Sequence, residues 1–272
     1  MVVAIGLVAA TACSGGDDDA APREPVGYVA LGDSFSSGEG ARDYDEASGS
    51  CHRSTLSWPH VLDDSEDDIV LEELRACGGA TVDRLLAPWT KRDQEAQIPA
   101  EPDPDVGLVT LTIGGNDVGF GELVARCVLG DCSGVPASPE FEAQLDALST
   151  RLIDEVYPAL EAAYPNAVIV HVAYPRLTPE EGPLVGCGWL SEPEREATVE
   201  IVDKLNETIG RVAQDVFLDI REALAGHELC SDDPWVNEVI SLDSERAHPT
   251  VDGYEAIADA VADAMDGEYR RT

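Results

Sequence analysis

The arrangement of short apolar runs rich in β-branched residues limits this chain most. Residues 26–31, 106–113, 167–173 and 216–220 are such runs, and 68–74 is a weaker one. Residues 106–113 read Val-Gly-Leu-Val-Thr-Leu-Thr-Ile, and 167–173 read Ala-Val-Ile-Val-His-Val-Ala. Neither alternates between apolar and polar, so each predicts a strand covered on both faces, as in a parallel sheet between helices. The sequence between them supplies the helices. Phe141, Leu145, Leu152, Val156 and Leu160 fall near one helical face, as do Val199, Val202, Leu205, Ile209 and Val212. Thr250 reads as the N-cap of a last helix striped by Tyr254, Ile257, Val261 and Met265. This β-then-α rhythm predicts an α/β fold of three layers, α/β/α, around a five-stranded parallel sheet. Ligands of such sheets bind beyond the carboxyl ends of the strands. Residues 121–140 and 176–192, with their Gly, Pro and Cys, read as long irregular insertions lining that end.

A chain of 272 residues can bury one such core, and no internal repeat or second unit is visible. Its charge is unusual. The 54 acidic residues against 17 basic ones give a formal net charge of -37, and Lys91 and Lys204 are the only lysines. That surface repels nucleic acid, so no nucleic-acid partner is expected. The acid excess fits either a high-salt habitat or a soluble secreted protein of biased composition.

Residues 2–12 are an apolar run of small side chains, too short to span a bilayer. The run ends in Ala10-Thr11-Ala12-Cys13, followed by Ser14-Gly15-Gly16 and the acidic Asp17 to Asp19. A small residue before a cysteine, then a flexible polar tether, resembles a bacterial lipoprotein signal, in which that cysteine is lipidated. No Lys or Arg precedes the run, and Ala10 stands where such signals carry Leu, so ordinary cleaved secretion is the alternative. Either route exports the protein, released or attached to a membrane through Cys13. The expected organisation is a signal at 1–13, a tether at 14–25 and a folded domain at 26–272.

With Cys13 set aside, Cys51, Cys77, Cys127, Cys132, Cys187 and Cys230 remain. In an exported protein these predict three disulfides, and the spacing favours sequential pairing. No Cys-x-x-Cys pair or histidine cluster points to a metal.

Three short segments carry candidate chemistry. Gly32-Asp33-Ser34-Phe35-Ser36 closes the first strand, and Gly32 permits a sharp turn that presents Ser34 at a helix start. Gly114-Gly115-Asn116-Asp117 follows the strongest strand, where glycines allow close approach to a ligand and Asn116 offers an amide donor. His248-Pro249-Thr250 precedes the last helix, from which an imidazole can reach the strand ends.

In this order, Gly-Asp-Ser, Gly-Gly-Asn-Asp and His-Pro resemble the SGNH hydrolases, also called GDSL esterases and lipases. Cys77-Gly78-Gly79-Ala80, the segment Thr112 to Asp117 and the six cysteines are similar to the secreted actinobacterial esterases of that family. The resemblance covers roughly residues 26–266. It implies a flavodoxin-like sheet, hydrolysis of a small-molecule or lipid ester, and no cofactor. By the same resemblance Ser34 is the nucleophile and His248 the general base. The Ser34 N–H, the Gly79 N–H and the Asn116 side chain then form the oxyanion hole. Asp33 and Asp117 brace their loops. The family usually places Asp three residues before the histidine, where this chain has Glu245. Glu245 would serve the imidazole by its carboxylate or its backbone carbonyl, with Asp243 as a further candidate.

Other features read as structural. His171 lies within a strand run, and His227-Glu228 lacks the second histidine of a zinc protease, because Ser231 stands there. Neither Gly-x-Ser-x-Gly nor a phosphate-binding glycine loop is present. The sequon Asn206-Glu207-Thr208 falls inside a helix pattern, and Tyr174, Trp189 and Trp235 read as core or pocket walls. Two other functions share these residues: an inactive binding module on the same scaffold, and acyl transfer by the same serine and histidine.

Overall fold

The computed structural model describes residues 24–240, 245–266 and 269. The expected signal with Cys13, most of the tether, and Asp243 lie outside the described residues.

Each apolar run forms a strand: β1 (Val26–Gly32), β2 (Ile69–Leu74), β3 (Val106–Thr112), β4 (Val168–Val172) and β5 (Val216–Leu218). All neighbours pair in parallel, in the order β2-β1-β3-β4-β5. This is the flavodoxin-like order, and its switch point lies between β1 and β3, where ligands of such sheets bind. β4 is buried throughout, and β1 and β3 at all but one residue each. β2 is an edge strand exposing Val70, Glu72 and Glu73, which is why residues 68–74 give a weaker signal.

The helices are α1 (Ser34–Ser37), α2 (Trp58–Ser65), α3 (Val82–Leu86), α4 (Phe120–Leu129), α5 (Pro139–Arg151), α6 (Tyr157–Ala163), α7 (Glu192–Gly210) and α8 (Val251–Met265). α2 packs on α8 and α5 on α7, completing the predicted α/β/α arrangement. The stripe at 141–160 spans α5 and α6, joined through a π-helical turn at Leu152–Val156. Pro158 has no N–H to donate back to Asp154, and the wider turn absorbs that break. Thr250 caps α8 by accepting from the Gly253 N–H.

One expectation is corrected. Of residues 121–140 only 130–138 are irregular, because 121–129 belong to α4 and 139–140 open α5. Phe120, Leu123, Val124, Cys127 and Val128 recur at helical spacing and pack on the core. That periodicity outweighs the loop signal of Gly121. Residues 176–191 do run without regular secondary structure up to α7.

Three disulfides pair sequentially: Cys51–Cys77, Cys127–Cys132 and Cys187–Cys230. The first ties the segment entering Gly78-Gly79, the second closes the end of α4, and the third clips the 176–191 loop. His171 is a buried sheet residue, with Nδ1 3.0 Å from Tyr157 Oη. Burial lowers its pKa to about 4, so the imidazole is neutral near neutrality.

Candidate active site

Both glycine motifs end strands that flank the switch point. At the end of β1, Gly32 has φ +128°, and a Cβ there would collide with the Thr112 carbonyl oxygen of β3. The buried Gln97 carboxamide clasps Gly32 from the other side, accepting its N–H at 2.7 Å and donating to its carbonyl at 2.8 Å. The Asp33 N–H donates to the Thr112 carbonyl at 3.0 Å, and Asp33 Oδ1 accepts from the Phe35 N–H at 3.0 Å. The chain therefore turns sharply off the sheet and presents Ser34 at the first residue of α1.

His248 arrives from the opposite end of the sequence. A short bridge between Val236 and Pro249 carries its loop, and the Asn237 side chain ties that loop to the Gly40 carbonyl at 3.2 Å. His248 Nε2 lies 2.7 Å from Ser34 Oγ. The Phe35 ring packs against the imidazole with centroids 5.5 Å apart.

Asn116 and Gly79 face the same cleft, of about 560 Å³. Asn116 Nδ2 donates one hydrogen to the Ala80 carbonyl at 2.9 Å, which sets the plane of the carboxamide. Gly79 has φ +76°, a left-handed conformation that favours glycine. The preceding carbonyl, of Gly78, accepts from the Arg92 guanidinium, which lies over the Trp89 ring 3.9 Å from its centroid. In a trans peptide the C=O and the following N–H point opposite ways. A Gly78 carbonyl held by Arg92 thus fixes the direction of the Gly79 N–H. Among the described residues, no acceptor takes the Ser34 or the Gly79 backbone N–H.

The structure thus brings Ser34, His248, Gly79 and Asn116 to one cleft. Glu245 sits at the start of the His248 loop. Its carboxylate accepts from Arg42 Nε at 3.0 Å and Tyr44 Oη at 3.4 Å, and its backbone carbonyl accepts from the His248 N–H at 3.2 Å.

Two carboxylates brace the loops, Asp33 buried and Asp117 half-buried. Asp33 Oδ2 accepts from Tyr174 Oη at 2.6 Å, and burial pushes its pKa up to about 7. Asp117 accepts the Val82 N–H at 3.1 and 3.2 Å, and burial raises it to about 6. The cleft has two characters. Glu39, His52, Arg92 and Arg246 line it on the polar side, and Phe120, Val124 and Ala125 of α4 line it on the other. Phe120, Val124 and Ala247 also border an apolar recess with Leu177, Trp189, Val202, Leu229 and Val239.

Sequence reasoning missed Gln97, Arg92 and the Glu39–His52 contact, whose Nδ1 and Oε1 lie 3.0 Å apart. No local pattern marks Gln97. Tyr174 had a usable signal, since it stands just past the carboxyl end of β4, where such sheets bind ligands. The sequon asparagine Asn206 is buried and makes a reciprocal pair with the Tyr174 backbone, at 3.0 and 2.8 Å.

A serine hydroxyl hydrogen-bonded to an imidazole, beside backbone and carboxamide donors, suits acyl transfer through a covalent intermediate. Known proteins agree. Residues 30–256 match the model of the GDSL-like Lipase/Acylhydrolase family. A lipase of Streptomyces rimosus is 36% identical over 239 residues, covering 86% of this chain and 84% of its own. Lipase 1 of Streptomyces coelicolor matches to the same extent. The crystal structure of the extracellular lipase from Streptomyces rimosus superposes with a TM-score of 0.75 at 34% identity, covering 88% of this chain and 99% of its own. That of phospholipase A1 from Streptomyces albidoflavus gives 0.70 at 31%, with the same coverage. The chain belongs to the GDSL-like lipase/acylhydrolase family of carboxylic ester hydrolases.

Proposed function

We propose that the protein is an exported lipase or esterase that cleaves carboxylic esters through an acyl-enzyme on Ser34. The observation that carries this reading is the 2.7 Å contact between His248 Nε2 and Ser34 Oγ at the floor of the cleft. His248 Nε2 takes the hydroxyl proton as Oγ attacks the ester carbonyl carbon. The negative charge on the carbonyl oxygen is met by the Ser34 and Gly79 N–H groups and by Asn116. Collapse breaks the bond to the leaving alkoxide, which takes the proton from the imidazolium. Water then attacks the acyl-enzyme with His248 as base, releasing the acid and restoring Ser34. Glu245 supports His248 through the loop, with its carboxylate anchored by Arg42 and Tyr44.

The apolar wall of the cleft, formed by Phe120, Val124 and Ala125, supports an ester with an apolar portion, in keeping with the relatives' names. Three disulfides support an oxidising destination outside the cytoplasm. Lipidation of Cys13 remains our proposal for membrane attachment, and intact mass of the protein from its native host tests it.

The deciding assay compares wild type, Ser34→Ala and Glu245→Gln on p-nitrophenyl esters from acetate to palmitate. Ser34→Ala is expected to lose at least ~10³-fold in turnover. Equal rates for wild type and Ser34→Ala would remove Ser34 from the mechanism. A folded wild type inactive on every ester would favour the binding module. Glu245→Gln should cost only a few-fold, whereas loss of a carboxylate that orients the imidazole costs ~10⁴.

A further inference from the structure

We infer that Tyr174 is a positioning residue for the oxyanion hole, its hydroxyl setting the distance between the Ser34 turn and the Asn116 turn. The inference rests on the assignment of Ser34 and Asn116 proposed above.

One oxygen atom makes both contacts. Tyr174 Oη donates to Asp33 Oδ2 at 2.6 Å and accepts from the Gly115 N–H at 2.9 Å. Asp33 precedes Ser34, and Gly115 precedes Asn116. The same hydroxyl therefore holds the residue before each of two oxyanion donors, on loops that leave different strands. Direction is unambiguous. Gly115 can only donate, so the phenol proton goes to Asp33. Burial and the Asp33 carboxylate push the phenol pKa well above its ordinary value, which keeps that proton in place.

Tyr174 is itself built to stay put. Its backbone N–H and carbonyl are both taken by the Asn206 carboxamide of α7. Its ring meets Phe35 edge-on with centroids 5.3 Å apart. Gly115 accommodates it closely, since a Cβ there would lie 3.2 Å from the Tyr174 ring. A side chain needed only to fill space would not require a hydroxyl anchored at both ends inside the core.

A pH consequence follows. Asp33 accepts most strongly when ionised, and the groups that face it are Tyr174, Glu39, Asp117 and Tyr254 of α8, with His248 across Phe35. Protonation of Asp33 turns a charge-assisted bond into a neutral one and loosens the brace.

The test is Tyr174→Phe, which keeps the ring and removes the hydroxyl. Turnover is measured per active site, with sites counted by stoichiometric phosphonylation of Ser34, so unfolded protein does not enter the rate. The expected result is a fall in kcat of roughly 10- to 100-fold with KM within about threefold, as removal of part of an oxyanion hole gives. The acidic limb of the kcat profile should also change shape, because Asp33 loses its partner. Wild-type kcat per titrated site with an unchanged pH profile would overturn the proposal. So would a rise in KM at constant kcat, which marks a substrate-wall role. If Tyr174→Phe does not fold, Asp33→Asn removes the charge while keeping the residue's size. It should lower kcat in the same direction by a smaller factor, and an unchanged kcat would overturn the proposal. Ser34→Ala in parallel separates the failures: if it stays active the serine reading falls, and if it is dead while Tyr174→Phe is unimpaired only the brace falls.

Discussion

The two sides of the cleft are held in different ways. Ser34 and Asn116 stand on turns that continue β1 and β3, so strand register and left-handed glycines place them, with the buried Gln97 and Tyr174 side chains bracing them from within the core. Gly79 and His248 stand on loops outside the sheet. Side chains from elsewhere hold these: Arg92 on the Gly78 carbonyl, Asn237 on Gly40, Arg42 on Glu245, and the Cys51–Cys77 disulfide. A turn built into the sheet cannot move without disturbing the core, whereas a loop held by side chains can drift while the core stays intact. Substitutions on the first side should therefore cost stability and activity together, and those on the second mainly activity.

The largest effect is expected at Gly32. Gly32→Ala would drive a methyl into the Thr112 carbonyl oxygen at a φ of +128°, breaking the clasp with Gln97 as it does so. Destabilisation of at least about 3 kcal/mol is expected, with loss of soluble active enzyme. A thermal melt close to wild type would break the comparison at its firmest point.

Arg92→Ala examines the other side. Removing the guanidinium frees the Gly78 carbonyl, and with it the aim of the Gly79 N–H. A fall in kcat approaching ~10²-fold is expected with KM little changed. The stability cost should stay near ~1 kcal/mol, since the lost contact with Trp89 is partly exposed. Arg92→Lys should recover little, because an ammonium lacks the flat guanidinium that stacks on Trp89 and so aims Nη1 at the Ser50 and Gly78 carbonyls. Equal losses of melting temperature and activity would mean that this loop, too, is part of the core.

A different division, local pattern against long-range contact, explains what the sequence made legible. The five strands are local patterns of burial, and Ser34, Asn116 and His248 are reactive types next to glycines or a helix start, so short windows reveal them. Braces are not local. Gln97 holds Gly32 across 65 residues, and Tyr174 holds Asp33 across 141. Nothing near Gln97 distinguishes it from any buried glutamine, and the place of Tyr174 past the end of β4 points to the site without naming Asp33 as its partner. Asn206 carries a misleading signal, since its sequon suggests an exposed site while its carboxamide clamps the Tyr174 backbone in the core. α4 is hidden in the sequence for a related reason. Gly121 and the Cys127–Cys132 pair look like loop chemistry, and only the apolar face from Phe120 to Val128 shows the helix.

The smallest expected effect concerns the carboxylates beneath the sheet-edge turns. Burial raises Asp117 to about 6 and Asp33 to about 7, each from an ordinary value near 3.8. The folded state therefore holds these protons more tightly than the unfolded chain does. Their stabilising contribution is complete below pH 3.8 and is lost as pH rises through about 6 and about 7. Asp117→Asn removes one of these titrations, and the carboxamide oxygen can still accept from the Val82 N–H. Relative to wild type, the variant should gain at most about 3 kcal/mol of stability between pH 4 and pH 8, read from denaturant melts at each pH. A constant difference across that range would mean that Asp117 is ionised in the fold without penalty. The turn after β3 would then hold its aspartate at no cost in burial, and the rigid side of the cleft would rest on strand register and the Gln97 and Tyr174 braces.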